Sequence, residues 1–413
     1  MSFATKRALA CHCVEHFRTE ARRTLPHMLF DFLEGGAQSE STVRENRAAF
    51  ERYRLLASGP VDVHDRSTTT QLFGATIKVP LLIGPTGYAG AFWPRGDLAL
   101  ARAAARAGVP FVVSNVANES LEAITSAAEG RVWLQLYLSS ERARTSALLN
   151  KAKLLGVEAI EVTVDTAIPG RRIRDLVNGF GLPLVWTARK LFDVMRHPRW
   201  ALRMLPHGVP KPGLFELDSS GGRQWTSVSD FMRSQVNPAL AWDDLKWLRD
   251  QWPGKLVVKG LLDPDHAPRA LAAGYDGIVV SNHGGRQLDG AVATLDVLPD
   301  FVAAVGGRIP VLIDSGFRTG TDVLKALALG ATAVQLGRST LYGLAVAGEV
   351  GAERVLSLLQ LELDIAMALT GISRVSQANQ RLFYPRPTLP ERTTDQALPR
   401  FSKALLANAV DHR

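Results

Sequence analysis

Two residues that can move a proton and bind an anion lie in one short loop. His283 and Arg286 belong to the segment SNHGGRQ, which directly follows an apolar, β-branched run. An imidazole titrates near neutral pH and can act as a general base. A guanidinium group can bind a carboxylate through two parallel hydrogen bonds. The pair indicates proton transfer on an anionic substrate, although a His near an Arg also occurs in ordinary loops.

Polar residues end other apolar runs in the same way. Asp165 follows AIEVTV, where it could orient His283, and Arg172 comes a few residues later. Lys259 ends KLVVK, where an ammonium group suits an electron-rich cofactor ring. Further polar or small residues at such positions are Pro85, Thr86, Gly87, Ser114, Asn115, Gln135, Tyr137, Thr163 and Ser281. Each alone is commonly a group that satisfies a loop, but a packed core would leave most of them unpaired. Together they favour one shared site.

The last two apolar runs end in a pattern that suits a phosphate group. Asp314 begins the segment DSGFR, in which Gly316 lets backbone N–H groups approach an anion and Arg318 supplies charge. Gly337 and Arg338 repeat this combination after the final run. Phosphate sites in the loops after strands seven and eight are common in α/β barrels. The alternative is that SGFRTG is only a turn before a helix.

Eight short apolar runs must position these residues. They cover 80–84, 111–114, 132–137, 159–164, 255–259, 277–281, 310–314 and 333–337. Such runs are typical of strands buried on both faces, and segments with helical periodicity lie between them. This alternation predicts an α/β fold, a closed (β/α)8 TIM barrel with its active site at the carboxyl ends of the strands. An open doubly wound sheet is the alternative.

Three segments lie outside this alternation. Residues 1–78 are predicted to form an N-terminal helical lead-in packed on the barrel, which itself covers 79–375. A long insertion, 183–235, separates the fourth strand from its helix. Residues 376–413 form a C-terminal tail, which we expect to wrap the surface or a neighbouring subunit, or to be disordered.

The composition is that of a globular protein. The 413 residues are 46% hydrophobic and carry a net charge of +8, which excludes long-range disorder and suits anionic partners. Cys11 and Cys13 have no cysteine elsewhere to pair with, which indicates a reducing compartment. The ligand set around them is incomplete, so no metal is predicted. The sequence has neither a secretory signal pattern nor a run of eighteen apolar residues, which predicts a cytoplasmic location.

The insertion mixes basic and apolar residues. Segment 189–211 has six Lys or Arg against one Asp, interleaved with Trp, Phe, Leu and Met. This pattern is typical of a segment lying in an anionic membrane interface, and Pro198 should divide it into two pieces. We predict that 185–225 binds the cytoplasmic face of a membrane. The alternative is a loop packed on the barrel or on a neighbouring subunit; no nucleic-acid role is predicted.

Four motifs resemble the FMN-dependent α-hydroxy acid dehydrogenase and oxidase family. They are LPHMLFDFLEGGA (25–37), VTVDT (162–166), SNHGGRQLD (281–289) and IDSGFRTGTDVLKALALGA (313–331). The resemblance covers about residues 20–375, and GPTGYAGAFWPRGDLALARAA and HPRW are similar to its membrane-associated (S)-mandelate and L-lactate dehydrogenase branch. It implies an FMN cofactor, with Lys259 beside the flavin N1 and C2 carbonyl. The FMN contacts that it implies are Pro85, Thr86, Gly87, Ser114, Gln135, Thr163, Lys259, Ser281, Asp314, Gly316, Arg318, Gly337 and Arg338.

The resemblance also implies catalytic roles. His283 would be the base, Asp165 its partner, and Tyr137 a hydrogen-bonding group near the substrate hydroxyl. Arg172 and Arg286 would hold the substrate carboxylate. The implied reaction oxidises a mandelate- or lactate-like L-2-hydroxy acid to the 2-oxo acid and passes the electrons to a membrane quinone. The family further implies a homotetramer.

The chain departs from the family pattern at Phe32, which occupies the position of a substrate-binding tyrosine. Phenylalanine cannot donate a hydrogen bond to a carboxylate, so one expected substrate contact is missing. Three alternatives therefore stay open. They are a 2-hydroxy acid oxidase that uses O2, a different FMN barrel such as a flavin isomerase, and a membrane-associated FMN-binding protein with weak activity.

Overall fold

The computed structural model describes residues 2–180, 186–208, 210, 213 and 237–384. Eight parallel strands close into a single barrel, in which each strand pairs with the next along the chain and the last pairs with the first. These strands are β3 (Leu81–Ile83), β4 (Phe111–Val113), β5 (Val132–Leu136), β6 (Ala159–Thr163), β7 (Lys255–Leu261), β8 (Gly277–Val280), β9 (Val311–Ile313) and β10 (Ala333–Leu336). The predicted barrel is confirmed, and the open-sheet alternative is wrong.

Helices alternate with the strands and cover the outside of the barrel. They are α5 (Gly96–Ala107), α6 (Leu121–Ala128), α7 (Arg142–Leu154), α11 (Trp242–Gln251), α12 (His266–Ala272), α13 (Thr294–Val305), α14 (Gly320–Ala328) and α15 (Arg338–Leu369). At the start of α14, Thr319 Oγ1 accepts from Asp322 N at 3.0 Å, and Thr319 N donates to Asp322 Oδ2 at 3.0 Å. This reciprocal cap fixes the point where the SGFRTG loop becomes a helix.

The N-terminal segment is helical and then forms a hairpin. Its helices are α1 (Phe3–Leu9), α2 (Val14–Thr24), α3 (His27–Glu34), α4 (Ser41–Ala48) and a 3-10 turn (Ala49–Arg52). The apolar face of α2, with Val14, Phe17 and Ala21 buried, packs against α15. The strands β1 (Thr70–Leu72) and β2 (Ala75–Ile77) pair antiparallel, which the sequence reasoning did not predict.

The interior of the barrel has an apolar layer and a polar layer. The apolar layer takes one buried side chain from each strand: Leu82, Val112, Trp133, Ala159, Val257, Val279, Leu312 and Ala333. Leu72, Phe73 and Ile77 of the hairpin pack beneath it. Two positions further along the chain, within or just beyond each strand, the same face continues with seven polar residues and one glycine. They are Gly84, Ser114, Gln135, Glu161, Lys259, Ser281, Asp314 and Gln335. We call this set the polar layer, and it forms the floor beneath the strand ends.

The described part of the insertion contains two short helices. Helix α9 (Ala188–Met195) ends before Pro198, which begins α10 (Pro198–Met204), so the predicted division at this proline is confirmed. A further short helix, α8 (Ile173–Val177), precedes the insertion. Most of the predicted insertion 183–235 beyond α10 lies outside the described residues. No helix in the described ranges is both long and apolar enough to span a membrane.

The first part of the C-terminal tail packs on the lead-in. It contains two 3-10 turns, Val375–Gln377 and Gln380–Leu382, and Phe383 forms a β-bridge with Leu55. The predicted wrapping or disorder of the tail beyond residue 384 falls outside the described residues.

Candidate active site

A cavity of about 270 Å3 opens at the carboxyl end of the barrel strands. Most of the residues predicted from the sequence line it: Phe32, Pro85, Thr86, Gly87, Gln135, Tyr137, Thr163, Arg172, Lys259, His283, Arg286, Asp314, Gly316, Arg318, Gly337 and Arg338. The other four lie just behind this lining. Ser281, Asp165 and Asn115 hydrogen-bond to lining residues, and Ser114 Oγ lies 3.6 Å from the position that a Cβ on Gly87 would occupy.

Lys259 is the charged centre of the cavity floor. Its Nζ donates to Ser281 Oγ at 2.5 Å and to the carboxylate of Asp314, and its side chain is only 5% exposed. Burial lowers the pKa of Lys259, but the neighbouring acidic residues, Asp314 first, outweigh it, and the net shift is upward. The floor therefore presents a fixed positive charge to whatever occupies the cavity.

His283 and Asp165 form a hydrogen-bonded pair at the rim of the floor. His283 Nδ1 lies 2.9 Å from Asp165 Oδ1, and His283 N donates to Ser281 Oγ at 3.0 Å. A carboxylate partner favours the tautomer with the proton on Nδ1, which leaves Nε2 able to accept a proton. Gly260 leaves the room that the Asp165 side chain occupies, because an added Cβ would lie 2.7 Å from Asp165 Cγ. Its φ of +101° also favours glycine.

Two arginines supply positive charge on one side of the cavity. Arg286 Nη1 donates to the carbonyl oxygens of Phe32 at 2.8 Å and Gly35 at 2.7 Å. Burial, then the guanidinium groups of Arg172 and Arg338, lower the pKa of Arg286 well below its ordinary value. Burial also lowers the pKa of Arg172, whose Nε is buried without a partner. A bound carboxylate would supply both the missing acceptor and the compensating charge.

An aromatic wall stands beside these arginines. The ring centroid of Phe32 lies 4.7 Å from that of Phe180 and 6.2 Å from that of Phe92. The guanidinium carbon of Arg286 lies 5.2 Å from the Phe32 centroid, a cation–π contact. Phe32 therefore has a packing role here, and it presents an apolar surface to the cavity where the family motif has a hydroxyl.

The loops after β9 and β10 carry the predicted phosphate residues. Gly316 has a φ of +87°, and an added Cβ would lie 2.4 Å from the carbonyl oxygen of Asn46, so only glycine fits there. Arg318 Nη1 donates to Phe317 O at 2.9 Å, and its Nη2 donates to the Tyr342 hydroxyl at 3.2 Å. These contacts hold the Arg318 guanidinium at the cavity edge.

The guanidinium of Arg338 donates to backbone carbonyl oxygens, whereas a phosphate-binding arginine is expected to point its donors into the cavity. Its Nε, Nη1 and Nη2 donate to the carbonyl oxygens of Leu33 at 3.2 Å, Gly284 at 2.8 Å and Gly35 at 2.9 Å. It joins the end of α3 to the loop after β8, two parts of the chain that frame the cavity. Its phosphate role stays a prediction.

Several residues of the cavity and of the floor behind it were missed by the sequence reasoning. Glu161 and Gln335 belong to the polar layer, and Phe92 and Phe180 to the aromatic wall. The first two carried a signal, since each is a polar residue inside a mostly apolar run. Phe92 and Phe180 lie in loops, where nothing in the sequence separates a cavity residue from an ordinary one.

Unpartnered polar atoms show that the cavity is suited to a polar ligand. Among the described residues, the hydroxyl of Thr86, one carboxylate oxygen of Asp165 and Nε of Arg172 are buried without hydrogen-bond partners. Such atoms are costly unless a ligand or water satisfies them. The cavity has an ammonium group in its floor, an arginine at its edge and a hydrogen-bonded imidazole. These groups suit a flavin ring, its phosphate and a carboxylate substrate. The fold and the site thus define a flavin-dependent oxidoreductase.

The chain belongs to the FMN-dependent dehydrogenase family, whose model matches residues 21–385. It is 45% identical to (S)-mandelate dehydrogenase of Pseudomonas putida over 358 residues, covering 87% of this chain and 90% of that protein. It is 40% identical to L-lactate dehydrogenase of Yersinia pestis (strain Pestoides F) over 367 residues, covering 88% and 96%. The protein is therefore an FMN-dependent α-hydroxy acid dehydrogenase, and FMN is its cofactor.

Solved structures agree with this assignment. The structure of monotopic membrane protein (S)-mandelate dehydrogenase matches with a TM-score of 0.86 at 42% identity, covering 91% of this chain and 100% of that one. A mandelate oxidase bound to benzoyl-formic acid matches with a TM-score of 0.76 at 37% identity, covering 90% and 97%.

Proposed function

We propose that the protein oxidises an L-2-hydroxy acid to the 2-oxo acid, with His283 as the base. The observation that carries this proposal is the 2.9 Å pair of His283 and Asp165, which faces the same cavity as Lys259. Arg172 and Arg286 line that cavity as well. The reaction needs a base, cationic groups that bind the substrate carboxylate, and a positive charge beside the cofactor.

Each side chain has a distinct part in the proposed reaction. Arg172 and Arg286 bind the carboxylate and so orient the carbinol group, while Tyr137 binds near its hydroxyl. The reaction removes two electrons and two protons from the carbinol group, and His283 Nε2 holds one of these protons. Asp165 stabilises the resulting imidazolium. FMN supplies the two-electron acceptor, and Lys259 places positive charge where electron density increases.

The aromatic wall favours a substrate with an apolar side chain. Phe32, Phe92 and Phe180 bury apolar area beside the arginines, as a mandelate-like acid requires. The test is anaerobic addition of a panel of acids, including (S)-mandelate, L-lactate and the achiral glycolate, with (R)-mandelate and D-lactate as controls. We expect the yellow flavin absorbance to bleach with at least one L-acid. A flavin that dithionite reduces but no acid bleaches would indicate an FMN-binding protein instead of an enzyme.

Replacing Phe32 with Tyr should strengthen binding of a small acid. The added hydroxyl can donate to the substrate carboxylate, and such a bond to a charged group contributes about 1.5–3 kcal/mol, or roughly ten- to a hundredfold in KM. Steady-state kinetics with L-lactate measures the change. Phe92→Tyr, at another position of the same wall, is the matched control. If both variants keep the wild-type KM, Phe32 does not lie at the carboxylate.

We further propose that α9 and α10 place the protein on an anionic membrane surface. Their outward side chains include Leu191, Phe192, Met195, Leu202 and Leu205, each more than half exposed. The exposed bases Arg189 and Arg199 lie on the same two helices, and the exposed Arg196 directly follows α9. Apolar side chains beside basic ones on a surface segment match the requirements of interfacial binding.

Other members of this segment hold it on the barrel. The Trp200 indole donates to Ala91 O at 3.0 Å, and the Arg203 guanidinium lies 3.7 Å from the Trp93 ring centroid. Lys190 Nζ donates to Gly179 O at 2.6 Å. The sequence interpretation counted all basic residues as membrane-facing, whereas Lys190 and Arg203 point inward. The two helices therefore have one side for the protein and one for a lipid surface.

Acidic substitutions on the exposed side of α9 and α10 should release the protein from membranes. The variant Phe192→Asp/Leu202→Asp/Leu205→Asp is expected to lose most of its binding to anionic vesicles, because three carboxylates would face an anionic, apolar interface. Sedimentation with vesicles of anionic or zwitterionic lipid measures this. Leu154→Asp, at a side chain of α7 that is 88% exposed, is the matched control. Undiminished sedimentation of the triple variant would contradict the membrane role of α9 and α10.

A membrane location favours a quinone as the electron acceptor. The match to a monotopic membrane protein supports the membrane location. We propose a peripheral enzyme on the cytoplasmic side of that membrane. Turnover with a soluble quinone analogue, without peroxide, is the expected result. Stoichiometric hydrogen peroxide would favour the oxidase alternative, which the match to mandelate oxidase supports.

The homotetramer that the family implies is tested by light scattering.

A further inference from the structure

A buried polar pair in the barrel is not used by any role described above. Glu161 and Gln335 are the β6 and β10 members of the polar layer, and their exposed fractions are 0% and 2%. Gln335 also lines the cavity, and Glu161 is close enough to Lys259 for their charges to interact. The pair therefore belongs to the floor on which the cofactor would lie.

The hydrogen bonds of this pair are incomplete while Glu161 is charged. Gln335 Nε2 donates to Glu161 Oε2. Glu161 Oε1 and Gln335 Oε1 are both buried, and neither has a partner among the described residues. Both are acceptors, so a carboxylate satisfies neither of them. A proton on Glu161 turns one carboxyl oxygen into a donor, and a carboxylic acid and a primary amide can then exchange two hydrogen bonds.

The surrounding charges also disfavour a carboxylate at this position. Lys259 is already in contact with Asp314, and Asp165 with His283, so a charged Glu161 would have no cation of its own. Burial raises the pKa of Glu161 to about 7, with Asp314 and Asp165 adding to the rise and Lys259 and the Gln335 hydrogen bond opposing it. A buried charge without a counter-ion is strongly unfavourable.

We propose that Glu161 is a positioning residue for Lys259: burial keeps it a neutral acid paired with Gln335, and loss of its proton draws the Lys259 charge away from the flavin. In the neutral state, the ammonium group contacts Ser281 and one carboxylate of the described residues, that of Asp314. In the charged state, a second buried carboxylate competes for it. The flavin then becomes harder to reduce at alkaline pH. The inference rests on FMN binding and not on which hydroxy acid is the substrate.

The pH dependence of the flavin midpoint potential tests this inference. Glu161→Gln cannot ionise and retains both a donor and an acceptor for Gln335, so it represents the neutral state. Spectroelectrochemistry of both holoenzymes should give equal pH slopes below about pH 6 and a lower wild-type potential above about pH 7. Glu122→Gln, at an exposed acid of α6, is the matched control and should follow the wild type. Parallel potentials in wild type and Glu161→Gln over the whole range would overturn the proposal.

A second measurement observes the proton directly and needs no turnover. Infrared spectra of the oxidised holoenzyme, with 13C-labelled glutamate to exclude aspartic acids such as Asp97, should contain a protonated-carboxyl band at low pH that Glu161→Gln lacks. In Gln335→Met the amide donor that lowers the pKa is gone, so the band should persist to higher pH than in wild type. This variant keeps the test decisive if Glu161→Gln does not fold. A band unaffected by both substitutions would rule out the acid–amide pair.

Discussion

A His283→Gln enzyme is expected to remain yellow and to lose flavin reduction by the hydroxy acid. Glutamine is close to histidine in size and keeps the loop of SNHGGRQ, but its amide cannot accept a proton at neutral pH. A positioned base contributes roughly 10²–10⁴-fold to rate, so the anaerobic reduction rate should fall by at least about a hundredfold. Stopped-flow absorbance measures this rate, and the flavin spectrum measures FMN occupancy in the same sample.

The control for this substitution is His64→Gln, which changes an exposed histidine of the lead-in. It should reduce its flavin at the wild-type rate. Turnover retained in His283→Gln would remove His283 as the base. In that case Asp165, which contacts its Nδ1, would be the next residue to test.

The second large effect is expected at Lys259. Lys259→Met removes the ammonium group that contacts Asp314 and leaves that carboxylate in the floor without its cation. Breaking a buried ion pair from one side costs about 3–5 kcal/mol in the free energy of unfolding. The variant should therefore unfold at lower denaturant concentration, bind FMN more weakly and emerge with little colour. Denaturant titration and FMN fluorescence on dilution measure the two effects.

A double substitution separates charge imbalance from lost packing. Lys259→Met/Asp314→Asn removes both charges, so it should unfold at a higher denaturant concentration than Lys259→Met alone, while FMN affinity stays low. Lys255→Met, at the exposed start of the same strand, is the matched control. If Lys259→Met unfolds and binds FMN as Lys255→Met does, the charged floor has no part in holding the cofactor.

The barrel and much of the site could be predicted because the apolar runs show both where the strands lie and which residues stand at their ends. Each apolar run ends where the chain leaves the interior, so a polar residue at its end, such as Lys259 or Asp314, must face the open end of the barrel. The FMN cofactor followed from the motifs that contain these residues. The predicted roles of His283, Asp165 and the two arginines stay predictions, although the structure brings all four to one cavity.

Other features depend on contacts between distant parts of the chain, which local patterns do not encode. Phe32 and Phe180 are almost 150 positions apart in sequence, yet their ring centroids lie 4.7 Å apart. Arg338 looks like a phosphate ligand from its neighbours, but its guanidinium binds carbonyl groups of the lead-in. The hairpin β1–β2 was missed because TQL and ATI are too short to show alternation.

The hairpin limits how substrates can reach the active site. Leu72, Phe73 and Ile77 fill the amino-terminal end of the barrel, and Phe73 lies 5.3 Å from Trp133 between ring centroids. Among the described residues, the cavity is thus closed at its amino-terminal end and opens at the carboxyl ends of the strands. A hydroxy acid and a terminal oxidant that both enter from the carboxyl end would bind in turn, which predicts parallel lines in double-reciprocal plots when both concentrations are varied.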